Sequence, residues 1–436
     1  MKRIWIGFLV LCLLLPGIAQ AESDGMLSIL VSAYGFGPGV SGVILQMDQS
    51  VSIAEVQELS VTVGGTERDI VSVFPCDEQG KPTQGPSGRL LIALSEQNAM
   101  RCPLFETDPA TGWRDWVKAC EVSVEGILTL DGDEKQITLR ENGIGRRVCP
   151  DGDLFSVRME YTGEALNTFT GETEIQTIRL AAYEPETLRG GAPNPLVIWL
   201  HGAGEGGITL DAAILGNEVS LLAKEKIQNH FTSADETAGA YVLLPQCETV
   251  WMDEGDGQNG EGTGVSRHTK VLMEAIEQYV DNHPDVDKSR IYLGGCSNGG
   301  YMTLNLLVEY PSYFAAAFPV CEAYDTLDQE QRIKALAAQS IWFVQSADDN
   351  VVNPERYVIP TYTDLVFEEA EDCWLSMFDG YHHAVWSAVF HDLVNGVQDG
   401  DDVFENMAAQ PDREKGGTCT ANGIANLFDW LNDHAP

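Results

Sequence analysis

Residues Arg290 to Leu307 read RIYLGGCSNGGYMTLNLL: an apolar run, one serine held between glycines, and a second apolar run. Few short stretches restrict a fold as strongly. Arg290 to Leu293 has the composition of a strand, and Met302, Leu304, Leu306 and Leu307 supply the apolar positions of a helix. A strand that gives way to a helix within so few residues requires a tight, strained turn. In Gly295-Cys296-Ser297-Asn298-Gly299 the glycines stand two residues to either side of the serine, where such a turn leaves no room for side chains. The turn lifts Oγ above the sheet and places it at a helix N-terminus, whose dipole favours developing negative charge. Ser297 is therefore the candidate nucleophile.

The surrounding sequence supplies the sheet that such a turn needs. Strand-like runs occur at LFSVRMEY, IQTIRLAAY, PLVIWL (195 to 200), AYVLLP (240 to 245), RIYLGG (290 to 295), AAAFPV (315 to 320), IWFVQS (341 to 346) and WLSMF (374 to 378). Continuous apolar runs suit strands buried on both faces of a mainly parallel sheet. Helical stretches separate them: HTKVLMEAIEQYVDNHP puts Val271, Leu272, Ile276, Tyr279 and Val280 on one face and ends before Pro284. This alternation predicts an α/β fold with a doubly wound sheet whose ligands bind at the carboxyl ends of the strands.

A serine nucleophile needs a base and an orienting acid, and hydrolases of this architecture present them in the order Ser, Asp or Glu, His. His391 falls in a helix-like stretch and His434 in the C-terminal tail, which leaves the doublet His382-His383 in DGYHHAVW after the last predicted strand. The loop after IWFVQS carries Asp348 and Asp349; spacing alone does not choose between them, nor between the two histidines. PLVIWLHGAGEGG runs a strand into a glycine-rich loop whose backbone N–H groups can face a substrate oxygen. Ala203 or Gly204 is expected to give one such donor and Asn298 the other, while His201 reads as structural. Between Val250 and Gly264 lies an acidic, glycine-rich insertion, a surface loop in which Trp251 and Met252 are placed to line a cleft.

Upstream of residue 150 the texture differs. Short alternating or β-branched runs such as SILVSAY, GVILQM, LSVTVGG and RLLIAL are separated by turn residues, the pattern of an all-β sandwich, and no histidine or acid there clusters with a nucleophile. The chain opens with Met1-Lys2-Arg3, an apolar run to Ala19 and a small-residue end, which predicts an export signal at 1–21 cut after Ala21. Nine cysteines remain after that cut, none in C-x-x-C spacing. An exported chain is expected to pair some of them as disulfides, with Cys296 the candidate to stay free. With 66 Asp and Glu against 26 Lys and Arg, a formal charge of -40 repels polyanions, so neither nucleic acid nor an anionic membrane surface is an expected partner.

LHGAGE (Leu200 to Glu205), Gly295-Cys296-Ser297-Asn298-Gly299-Gly300 and His383-Ala384-Val385-Trp386 together resemble the α/β-hydrolase superfamily, specifically bacterial serine esterases and prolyl-oligopeptidase-like hydrolases. The resemblance selects His383, because Trp386 follows it by three, and Asp349, because Asn350-Val351-Val352 follows it. The mature N-terminus is similar to the immunoglobulin-like domain fused to some of these esterases. The resemblance implies an immunoglobulin-like domain at 22–150 and an α/β-hydrolase domain at 151–436, with Ser297, His383 and Asp349 as triad. It also implies cleavage of carboxylic esters, small or polysaccharide-linked, with no cofactor and an undetermined oligomeric state. The rival expectations are a serine peptidase and a binding protein with a degenerate hydrolase domain.

Overall fold

The computed structural model describes residues 27–326, 329–397 and 423–434. The predicted export signal, Cys12 and Cys419 lie outside the described residues. Among the described residues no helix is long and apolar enough to cross a membrane.

The first part of the chain is all-β. β1 (Leu27–Tyr34), β2 (Gly37–Val51), β3 (Ala54–Val63), β4 (Thr66–Arg68), β5 (Ile70–Pro75) and β6 (Ser87–Leu94) precede a hairpin of β7 (Phe105–Thr107) and β8 (Arg114–Trp116). β9 (Glu121–Leu130), β10 (Asp133–Asn142) and β11 (Arg147–Val148) follow. One sheet runs β11-β1-β2-β6-β5 and the other β10-β9-β3-β4. Alternation along the strands sends Leu27, Ile29 and Val43 of the first sheet and Val61, Val122 and Val124 of the second into one shared core. The β7–β8 hairpin belongs to neither sheet. Its Phe105 and Trp116 pack edge to face, 4.8 Å between ring centroids, and lie against the core of the following α/β region.

That region is built on eight strands: β12 (Val157–Leu166), β13 (Thr173–Tyr183), β14 (Asn194–Leu200), β15 (Tyr241–Gln246), β16 (Val286–Cys296), β17 (Ala316–Val320), β18 (Ile341–Ser346) and β19 (Cys373–Phe378). Their order is β12-β13-β15-β14-β16-β17-β18-β19. β13 pairs antiparallel with both β12 and β15, and every later pairing is parallel. The central strands read as unbroken apolar runs because both of their faces are covered. In β14, Leu196, Ile198 and Leu200 enter the core on one side and Val197 and Trp199 the core on the other. Each such side chain contributes about 1.5–3 kcal/mol through burial, so the sheet is the rigid part on which the loops are mounted.

The helices cover both faces. α1 (Thr269–Asn282) buries Val271, Leu272, Ile276, Tyr279 and Val280 and stops at His283, before Pro284. α2 (Asn298–Glu309) follows β16 directly. The expected strand at Leu154 begins instead at Val157, because Pro150–Asp153 takes a short helical turn with Pro150 at its first position. The cysteines also depart from expectation: the eight described ones are all free thiols. Most of them are buried on separate elements, where they pack as small hydrophobic side chains; only Cys102 and Cys120 bring their Sγ atoms to 4.0 Å.

Candidate active site

Ser297 sits between β16 and α2 with φ 55° and ψ -112°, a backbone conformation that costs of order 1–3 kcal/mol and persists only where the surroundings impose it. Those surroundings come from parallel pairing. Leu200 at the end of β14 lies opposite Gly295, so the loop after β14 and the turn at Ser297 emerge side by side. A Cβ on Gly295 would come within 2.6 Å of the Gly299 carbonyl oxygen, and one on Gly299 within 2.0 Å of the Leu200 carbonyl oxygen. The glycines are thus fixed by closeness of backbone to backbone. Gly299→Ala is expected to destabilise the protein by about 2 kcal/mol or more, since the Leu200 and His201 carbonyls it would strike, at 2.0 and 2.7 Å, cannot yield without moving the end of β14. A thermal midpoint equal to that of the wild type would contradict this.

The loops after β18 and β19 complete the arrangement. His383 Nε2 lies 3.0 Å from Ser297 Oγ, and His383 Nδ1 lies 2.8 Å from Asp349 Oδ2. The other oxygen of Asp349 accepts the N–H groups of Val351 and Val352 at 2.8 and 2.9 Å, and its side chain is fully buried. The neighbouring pair is separate: His382 Nδ1 lies 2.9 Å from Asp348 Oδ2, and the His382 ring is 72% exposed. His391 is a surface residue facing Glu218, and His434 packs on α3 (Leu427–Asp433) with Nε2 on Asp372. Structure thus brings Ser297, His383 and Asp349 together and leaves Asp348, His382, His391 and His434 apart from them.

Ala203 and Gly204 are exposed in a short 3-10 turn, Ala203–Glu205, beside Ser297. Asn298 begins α2 and is buried; its Oδ1 accepts the Met252 N–H at 3.2 Å and its Nδ2 donates to Asn259 Oδ1 at 2.6 Å. His201 is buried under this loop, with Nδ1 on the Gly202 carbonyl and Nε2 accepting from the Cys247 N–H. Burial lowers its pKa to about 4, so the ring stays neutral and holds backbone.

The acidic insertion is anchored. Asp253 is buried, with its Oδ1 accepting the N–H groups of Gly255 and Gly257, and Arg267 faces its other oxygen. Trp251 and Met252 are buried rather than lining an open cleft, because Trp251 packs tilted against the His201 ring, 4.7 Å between centroids, and donates to the His201 carbonyl. Thr249, Val250, Gly257, Gln258 and Asn259 are the residues of this stretch that face a cavity. They bound this cavity, of about 330 Å³, together with Ala203 and Gly206 of the 3-10 loop and Ala110 to Trp113 of the β7–β8 turn. The sequence carried no signal for these hairpin residues, which meet the 3-10 loop only in three dimensions.

Cys321, Asp349 and His383 present potential metal-ligating atoms within 4.8 Å of one another. The Asp349 and His383 atoms are already engaged with each other, and burial pushes the Cys321 thiol well up, holding its proton. The geometry lets His383 exchange a proton with Ser297 while Asp349 orients the ring and faces its charge.

Residues 248–370 match the family model described as the prolyl oligopeptidase family. Poly(3-hydroxyalkanoate) depolymerase C of Paucimonas lemoignei is 28% identical over 137 residues, which span 29% of this chain and 27% of that relative. A solved structure described as a thermostable esterase superposes with a TM-score of 0.66 at 20% identity, covering 84% of this chain and 96% of that one. The fold is therefore shared with that esterase along most of its length, including the β-rich N-terminal part. The chain spans about a quarter of the length of the depolymerase it matches.

Proposed function

From its α/β-hydrolase fold, we propose that this chain is an exported serine hydrolase that cleaves carboxylic esters through an acyl-enzyme. The observation that supports this function is the continuous contact from Asp349 through His383 to Ser297 at 2.8 and 3.0 Å, with Ser297 held on a strained turn. Asp349 accepts a hydrogen bond from the Nδ1–H of His383, which leaves the Nε2 lone pair facing Oγ. The serine oxygen attacks the ester carbonyl while its proton passes to Nε2, and the imidazolium so formed is stabilised by Asp349. Carbonyl electrons move onto oxygen, where the N–H of Asn298 and that of Ala203 or Gly204 donate. Collapse expels the alcohol, which takes the proton from Nε2. Water then repeats the sequence on the acyl-enzyme and releases the acid.

The similarity to a thermostable esterase in fold supports an ester substrate. The prolyl oligopeptidase family match favours a second reading, a serine peptidase using the same three residues. Rates on an ester and an amide of the same acyl group separate the two. In this proposal the N-terminal sandwich is the immunoglobulin-like domain of an exported esterase.

The decisive experiment is treatment of the mature protein with a fluorophosphonate, followed by intact mass and peptide mapping. A single adduct on Ser297 is expected. A folded sample without adduct would remove Ser297 as nucleophile and turn attention to binding by the β region.

A further inference from the structure

The β7–β8 hairpin reaches out of the N-terminal β region and is pinned to the α/β region by polar contacts. Trp113 donates from Nε1 to the Glu248 carbonyl at 2.7 Å, and Trp116 donates from Nε1 to Asp211 Oδ2 at 2.7 Å. Between them Arg114 extends to the loop beside Ser297. Its Nη1 lies 3.3 Å from Glu205 Oε1, and its guanidinium rests against Gly204, so that a Cβ there would meet Nη2 at 3.3 Å.

Glu205 is an unusual residue to find in such a loop. Its side chain is 5% exposed, and Arg114 is its one ion-pair partner among the described residues. The carboxylate also packs on Gly202, where a Cβ would lie 3.0 Å from Oε2, while the Glu205 N–H donates to the Gly202 carbonyl at 3.2 Å and the Glu205 carbonyl accepts from Gln246 Nε2 at 2.8 Å. Through these bonds Glu205 ties the start and the end of the 3-10 turn to the sheet. Burial raises the carboxyl pKa and Arg114 is the leading group that opposes it. Without a cation, a buried carboxylate would either take up a proton or turn toward water, and either change releases the contacts that shape the loop.

We propose that Arg114, carried by the N-terminal β region, is a positioning residue for the oxyanion loop: its guanidinium fixes the Glu205 carboxylate, and Glu205 fixes Gly202 to Gly204 beside Ser297. This role rests on the esterase function proposed above. It makes the β region part of the active site instead of an appended module. Donors displaced by about 1 Å lose much of their effect on a developing oxyanion, whereas the ground-state ester depends on them little. Loss of Arg114 therefore falls on kcat more than on KM.

The test uses the full mature chain and p-nitrophenyl acetate. R114M is expected to lower kcat tenfold or more with KM changed less than threefold, and R114K to recover most of the loss. In an E205Q background, where no buried charge needs a partner, R114M is expected to cost less than threefold. Should R114M not fold by circular dichroism, R114Q, which keeps a donor and loses the charge, carries the same comparisons. R114M with kcat within twofold of an active wild type would overturn the role of Arg114 alone, and an undiminished loss in the E205Q background would overturn its action through Glu205. A wild type inert toward the ester and toward fluorophosphonate would overturn the esterase function and this role with it.

Discussion

Ser297→Ala is expected to lower kcat on a short-chain aryl ester on the order of 10⁴-fold or more while leaving the fold unchanged. The oxygen that attacks is removed, and only binding and oxyanion stabilisation remain to accelerate attack by water. The structural cost is small because the Oγ partner is His383 Nε2, whereas the turn itself is held by backbone: the Ser297 N–H donates to the Val320 carbonyl at 2.8 Å and the Tyr301 N–H to the Ser297 carbonyl at 2.9 Å. Alanine keeps both bonds and bears the same positive φ. An unchanged thermal midpoint with lost turnover and lost fluorophosphonate labelling is the expected result. Activity within tenfold of wild type would remove Ser297 from the mechanism.

The parts of this fold that were legible in the sequence are those in which one local constraint decides the outcome. Strands β14 to β18 announce themselves because burial on both faces demands unbroken apolar runs in their central parts, as in Leu196 to Leu200. The turn at Ser297 is legible because Gly295 and Gly299 stand where any Cβ would strike backbone. What spacing left open are relations across the chain. Asp348 and Asp349 are neighbours, as are His382 and His383, so their order is compatible with either pairing. The folded loops separate them: the exposed pair faces solvent and the other is turned inward, with His382 at φ 52° marking the change in direction. Arg114 was still less legible. It lies 91 residues from Glu205, in a region whose strand pattern shows no chemistry, and nothing in its flanking residues distinguishes it from an arginine on any hairpin. The acidic insertion reads as a loose loop by composition, yet buried Asp253 gathers its backbone amides into a fixed shape.

The pairing of acids and histidines has a sharp consequence. Asp349→Asn is expected to lower kcat about 10³–10⁴-fold near neutral pH, an effect of tautomer and not of shape. Asp349 Oδ1 accepts two backbone N–H groups and Oδ2 faces His383 Nδ1. An asparagine must keep its oxygen on those N–H groups, which turns its NH₂ toward Nδ1. A donor there obliges Nδ1 to accept and puts the ring proton on Nε2, where it points at Ser297 Oγ and cannot receive the serine proton. Asp348→Asn acts on a pair whose histidine is 72% exposed, a contact of the kind worth about 0–1 kcal/mol, and is expected to leave kcat within threefold. The companion variants follow the same division, with His383→Ala losing turnover and His382→Ala retaining it. Measuring kcat for all four on one ester decides the matter: a larger loss at Asp348 and His382 would transfer the proton path to the outer pair, and the 3.0 Å contact between His383 and Ser297 would then have no part in turnover.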